Sequence, residues 1–173
     1  MPRGPIQDAD RQAVATFLEQ HWPGGAVFSH GRLFHPHREQ GFVELRNGKI
    51  VGLLTYAVDH GVMRIITLNR TLQGEGIGTA LTLMTIDHAR QNNVTRIWLT
   101  TTNDNLPALR FYQRLGFRII QVSVGAMDKA RKLKPDIPEV GYSGIPIHDE
   151  IVLELYLMPH IYPGQTGVFP AIP

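Results

Sequence analysis

Asn47 and Gly48 narrow what this chain can fold into more than any other pair of residues. Both tolerate positive φ, so together they close a two-residue turn whose twist suits antiparallel strands. Strand-like runs flank them, GFVELR (41–46) before and KIVGLLTYAV (49–58) after. Asp59-His60-Gly61 turns the chain again, and VMRIITL (62–68) returns. Three strands joined by two tight turns make an antiparallel meander, and such a sheet needs helices to cover it. The 43% apolar and 18% charged composition supplies a core for a globular chain of 173 residues.

Helical signals surround the meander. Asp8 or Asp10 can cap a first helix carrying Val14, Phe17, Leu18 and His21, which Pro23-Gly24-Gly25 ends. Between them and the meander, 27–29 is expected as a short strand and the rest as an exposed loop. After the meander a helix is expected over 79–92, with Leu81, Met84, Thr85 and His88 on one face. Then come a buried-type strand, RIWLTTT, and a helix with Pro107 in its first turn and Gly116 at its end. FRIIQVSV is a strand and AMDKARKLK a short helix. The loop 135–149 is rich in proline and glycine, and EIVLELYL is a last strand. The fold class is therefore mixed α/β (α+β), a mostly antiparallel central sheet with helices on both faces. A single domain is expected over 1–158, followed by a proline-rich irregular tail, 159–173.

Charge and composition exclude several functions. Seventeen basic against fifteen acidic residues give a net charge of +2 with no long basic block, so no nucleic-acid partner is expected. The absence of cysteine removes disulfides, thiolate metal sites and a cysteine nucleophile. It fits a reducing cytoplasm. No apolar run has the length of a membrane span, and the first ten residues lack a signal-peptide core. His30, His35 and His37 are expected as exposed loop residues, and no metal site is expected.

The stretch QGEGIGT (73–79) joins the last meander strand to the next helix, with glycine at every second position from Gly74 to Gly78. A dinucleotide fingerprint needs a third glycine where Thr79 stands, and a Walker loop needs a lysine between glycine and threonine. The physical logic of a phosphate cradle holds all the same. Amides unshielded by Cβ atoms, at the positive end of a helix, attract an anion. A glycine-rich loop with no ligand is the plain alternative.

The stretch also reads Gln73-x-x-Gly76-x-Gly78. About thirty residues on come Asn105, Ala108, Tyr112, Gly116 and Phe117. With these elements in this order, the chain from Gly41 to Leu157 resembles the GNAT superfamily of N-acetyltransferases. The ending GIPIHDEIVLELYL resembles a strand-closing segment of a bacterial branch.

The resemblance implies acetyl-coenzyme A (acetyl-CoA) as co-substrate. Gln73, Gly74, Glu75, Gly76, Ile77, Gly78 and Thr79 would cradle its pyrophosphate. Leu68 and neighbouring main chain would pair with the pantetheine arm, between strands 62–68 and 96–102. A backbone N–H near Leu68 would meet the oxyanion, and Asn105, Ala108 and Tyr112 would border the thiol. Tyr112 would protonate the departing thiolate, a role its phenol can fill at neutral pH. Its plain alternative is a core aromatic in register with Leu109 and Leu115.

In the superfamily it resembles, many members carry a glutamate on the strand before the glycine bend, where this chain has Arg64, and arginine cannot serve as a base. Three readings of that position stand. Another group, among Glu44, Asp104, Asp149 and Glu150, takes the proton through water. Arg64 anchors a carboxylate on the acceptor. Or Arg64 pairs with Glu44 on a neighbouring strand. Trp22, Arg64, His148 and Glu150 are the acceptor-site candidates, with Trp22 equally a core anchor, and Tyr142 could wall the pocket. The implied reaction moves an acetyl group to a primary amine on a small molecule or protein. The alternative is a catalytically silent module that senses acyl-CoA. A homodimer is expected by analogy alone.

Overall fold

The computed structural model describes residues 3–158, and the expected proline-rich tail lies outside them. The chain divides into two compact units at the boundary between Val94 and Thr95.

The first unit contains β1 (Arg3–Pro5), α1 (Arg11–His21), β2 (Val27–Ser29), β3 (Arg32–Phe34), β4 (Gln40–Arg46), β5 (Lys49–Asp59), β6 (Val62–Arg70) and α2 (Ile77–Gln91). Strands β1, β4, β5 and β6 lie side by side in that order, every neighbouring pair antiparallel. Asn47 and Gly48 take φ of 51° and 73°, and His60 and Gly61 take 48° and 73°, so both meander turns form as expected. The stretch read as an exposed loop needs correcting. Its residues 32–34 are β3, which pairs with β2 through a third turn at His30-Gly31, with φ of 48° and 74°. Phe34 is buried with Val27 and Ile66, which is why the segment folds back.

Alternation along β5 places a helix on each face. Leu53 packs with Val14, Phe17 and Leu18 of α1 and with Val43. One residue earlier, Gly52 faces the opposite side, where a Cβ would lie 2.3 Å from Ile77 Cγ2 and 3.0 Å from Leu81 Cδ1 of α2. Gly52 is thus the seat of the start of α2. Gly52→Ala forces the helix outward and is expected to lower stability by about 1–3 kcal/mol, read as a lower urea midpoint. An unchanged midpoint would mean that α2 does not rest on this strand.

The second unit contains β7 (Arg96–Thr102), α3 (Leu106–Arg114), β8 (Arg118–Ser123), α4 (Ala126–Leu133) and β9 (Glu150–Tyr156). Strand β9 lies between β7 and β8, antiparallel to both. The strands of the two units, with helices against them, give the mixed, mostly antiparallel α/β class read from the sequence. Among the described residues, no helix is long and apolar enough to cross a membrane.

Candidate active site

The glycine bend connects β6 to α2. Gly74 has φ of 77°, and Gly76 has φ of 70° and ψ of 6° as the N-cap of α2. Nothing lies within 4 Å of a Cβ built at either position. The glycines therefore answer a backbone requirement rather than crowding. No side chain caps this helix, and its first closing bond runs from Ala80 N to Gly76 O at 2.9 Å. The amides of Ile77, Gly78 and Thr79 consequently have no acceptor within the helix. Ile77 and Gly78 are buried, whereas Gln73, Gly74, Glu75, Gly76 and Thr79 are exposed. The core thus pins the first turn of α2 while the bend ahead of it faces outward. A helix start with this backbone can receive an anion.

Leu68 is half-buried and stands opposite Leu54. Just before it the ladder slips: Thr55 faces Thr67, but Tyr56 faces Ile65. Ile66 is thus an extra residue, a β-bulge that turns the main chain near Leu68. The sequence carried no sign of it, because neither Ile66 nor its neighbours is a glycine.

Arg64 is buried, but not against Glu44, which removes the third of the three readings. Its Nη2 donates to Ser29 Oγ at 2.6 Å, and its guanidinium lies 4.5 Å from the centre of the Phe34 ring. Register explains the separation. Arg64 stands opposite Ala57 of β5, while Glu44 stands opposite Gly52, five residues away. That is roughly 16 Å along a strand. Ser29 and Phe34, which Arg64 meets, both belong to the β2–β3 hairpin.

Glu44, with its side chain fully buried, is held by Arg3 and Arg46. Arg3 donates to Glu44 Oε2 from Nε at 2.8 Å and Nη2 at 2.5 Å, and Arg46 Nη2 reaches Oε1 at 3.3 Å. Burial pushes the Glu44 carboxyl up, but the bonds and charges of the two arginines together hold it below its ordinary value. A carboxylate held this way is a poor proton acceptor. Trp22 packs against two apolar clusters and donates from Nε1 to Asn69 Oδ1 at 2.9 Å. That supports the core-anchor reading. Among the described residues, no three His, Cys, Asp or Glu side chains are grouped to hold a metal ion.

In the second unit, Asn105 is the N-cap of α3. Its Oδ1 accepts from Ala108 N at 3.2 Å, which links two of the implied site residues directly. Tyr112 is 6% exposed, and its ring meets those of Phe117 and Phe111 at 5.3 Å and 5.0 Å. The remaining carboxylate candidates are engaged in structure. Asp104 is buried, and its Oδ2 accepts from Tyr142 N at 3.0 Å. Asp149 Oδ1 accepts from Gly125 N at 2.8 Å, and Glu150 is buried on β9. His148 is exposed and lies 3.2 Å from Asp128; its hydrogen bond, against the opposing effect of desolvation and with help from Arg131, holds that carboxyl below its ordinary value. Asn103 was not singled out from the sequence. Its Oδ1 accepts from His148 N and Asp149 N, both at 3.0 Å, and its Nδ2 donates to Pro146 O at 2.9 Å. With Asp104, it fastens the long loop carrying Tyr142 to the end of β7.

A glycine bend that offers bare amides at a helix start, on a mixed α/β fold, is chemically suited to an anionic group. Residues 8–117 match the Acetyltransferase (GNAT) family, a stretch that runs across the boundary between the two units. The uncharacterized protein YxbD of Bacillus subtilis (strain 168) is 35% identical over 150 residues, which are 86% of this chain and 94% of that protein. The solved structure of an IAA acetyltransferase from Bacillus cereus ATCC 14579 is similar, with a TM-score of 0.65 and 21% identity, covering 90% of this chain and 99% of that one. A Bacillus subtilis acetyltransferase solved in complex with CoA gives a TM-score of 0.65 at 16% identity, over 90% of this chain and 98% of that one. The chain belongs to the acetyltransferase (GNAT) family, a family of acyl-transferring enzymes.

Proposed function

We propose that this protein is an N-acetyltransferase that moves the acetyl group of acetyl-CoA to a primary amine by direct attack. The observation that carries the reading is the N-cap of α2, where Gly76 at φ 70° leaves the amides of Ile77, Gly78 and Thr79 without intrahelical partners. Those amides and the helix dipole bind the coenzyme's diphosphate. Gln73, Gly74 and Glu75 complete the bend. The main chain around Leu68 pairs with the pantetheine amides in the manner of an added strand. A backbone N–H there stabilises the tetrahedral oxyanion. Tyr112 donates a proton to the leaving thiolate, and Asn105 and Ala108 border it. Trp22, Arg64, His148 and Glu150 are proposed to shape the acceptor site. The amine is a small molecule or a protein amine.

A second reading is favoured by Arg64. It occupies the place of the glutamate base, sits buried against Phe34 and Ser29, and cannot accept a proton. On that reading the protein binds acyl-CoA without turning it over. Thermal melting with and without acetyl-CoA tests both readings. At a hundredfold excess over the dissociation constant, ligation of the folded state adds about 2.7 kcal/mol, a rise of several degrees in Tm. No shift overturns both. Release of CoA thiol against a panel of amines then separates them: release supports the enzyme, and silence across the panel supports the sensor.

A further inference from the structure

The glycine bend carries a single charged side chain, Glu75, and its carboxylate is already taken. It forms an ion pair with Arg46, the last residue of β4. The pair reaches across 29 residues of sequence and is not a local helix contact. Arg46 is itself held from behind, through Nη2, by the fully buried Glu44. Glu44 stands opposite Arg3 on β1 and Gly52 on β5, and directly paired residues share a face of the sheet. That face is the one on which α2 begins at Ile77. The arrangement therefore fixes a guanidinium beside the cradle, with its inner side anchored and its outer side given to an anion.

A planar guanidinium takes a carboxylate or a phosphate through the same fork. Glu75 is half exposed, so its pair with Arg46 is screened and weakly held. A coenzyme phosphate arriving at the bend meets two effects of Glu75 at once. The carboxylate repels it and also occupies the cation that would attract it.

Resting on the proposed acetyl-CoA site, we propose that Arg46 is a phosphate-binding residue and that Glu75 is its resident anion, displaced when the coenzyme binds. Glu44 acts through Arg46 as a positioning residue. Binding is then an exchange of one anion for another on the same guanidinium, and Glu75 sets the affinity of the cradle downward. The raised pKa of Arg46, caused first by its bond to Glu75, agrees with a cation already serving an anion. The phosphate belongs either to the diphosphate or to the 3′-phosphate of the coenzyme.

Isothermal titration of the full chain with acetyl-CoA tests this through two single variants and their combination. Glu75→Gln is expected to bind about three- to fivefold more tightly, the size of a released surface ion pair plus lost repulsion. Arg46→Gln is expected to bind about tenfold or more weakly. The gain from Glu75→Gln should shrink in the Arg46→Gln background, because the cation for which Glu75 competes is gone. Glu75→Gln lies on an exposed bend and spares the buried network, so it stays informative if Arg46→Gln folds poorly. Titration with 3′-dephospho-CoA assigns the group. A loss from Arg46→Gln that persists there points to the diphosphate, and one that vanishes points to the 3′-phosphate. Either supports the exchange. Unchanged or weaker binding by Glu75→Gln overturns it while leaving the coenzyme site intact. A wild-type protein that does not bind acetyl-CoA overturns the site and the exchange together.

Discussion

Gly76→Val is expected to abolish acetyl-CoA binding in a titration while the far-ultraviolet circular dichroism of the folded chain persists. Gly76 holds φ of 70°, a conformation that a β-branched residue resists strongly. The variant relieves the strain by rotating the peptide planes on either side of residue 76. Those planes orient the amides proposed to grip the diphosphate. Hydrogen bonds to a charged group are worth about 1.5–3 kcal/mol each, so losing two lowers affinity by at least about a hundredfold. The fold survives because no atom lies within 4 Å of the new Cβ. Folding and binding thereby separate at this residue, in contrast to Gly52, where the added methyl meets Ile77. Retained affinity in Gly76→Val would mean that the bend does not hold the phosphate.

Tyr112→Phe is the second large effect. Tyr112 is proposed as the general acid for thiolate departure, and removing such a group slows turnover by about 10²–10⁴-fold. The ring remains, so its contacts with Phe117 and Phe111 persist and the aromatic cluster is preserved. The expected signature is a large loss in kcat with a coenzyme Kd changed by no more than about threefold. Equal turnover in the two proteins would return Tyr112 to a purely structural role.

What the sequence made legible follows the range of the interactions involved. Asn47-Gly48 and His60-Gly61 announced their hairpins, because a two-residue turn is decided by the turn residues themselves. Yet His30-Gly31 makes the same turn with the same dipeptide as His60-Gly61, and it was read as loop. Its flanking strands have three residues each, too few to show alternation. The short strand β1 escaped notice for the same reason and is held by pairing with β4, some forty residues away. Gly52 interrupts an apolar run, which signals a close approach, but only the fold identifies Ile77 as what approaches. The glycine bend was visible because Gly74, Gly76 and Gly78 lie close together in the sequence. The partners of Arg64 and Glu44 were not, because register decides them, and the bulge at Ile66 shifts that register without a marker residue. Arg46 and Asn103 were passed over for a related reason. Arg46 meets Glu75 at a separation of 29 residues, and Asn103 meets Pro146 and His148 at 43 and 45.

The central claim is that main-chain amides from Gly74 to Thr79 bind the coenzyme's diphosphate. Amide-resolved nuclear magnetic resonance of the ¹⁵N-labelled protein, titrated with acetyl-CoA, tests it most directly. The amide signals of Gly74, Gly76, Ile77, Gly78 and Thr79 are expected to shift together, saturably, and among the most strongly in the spectrum. Saturable binding that leaves those five signals in place would contradict the claim.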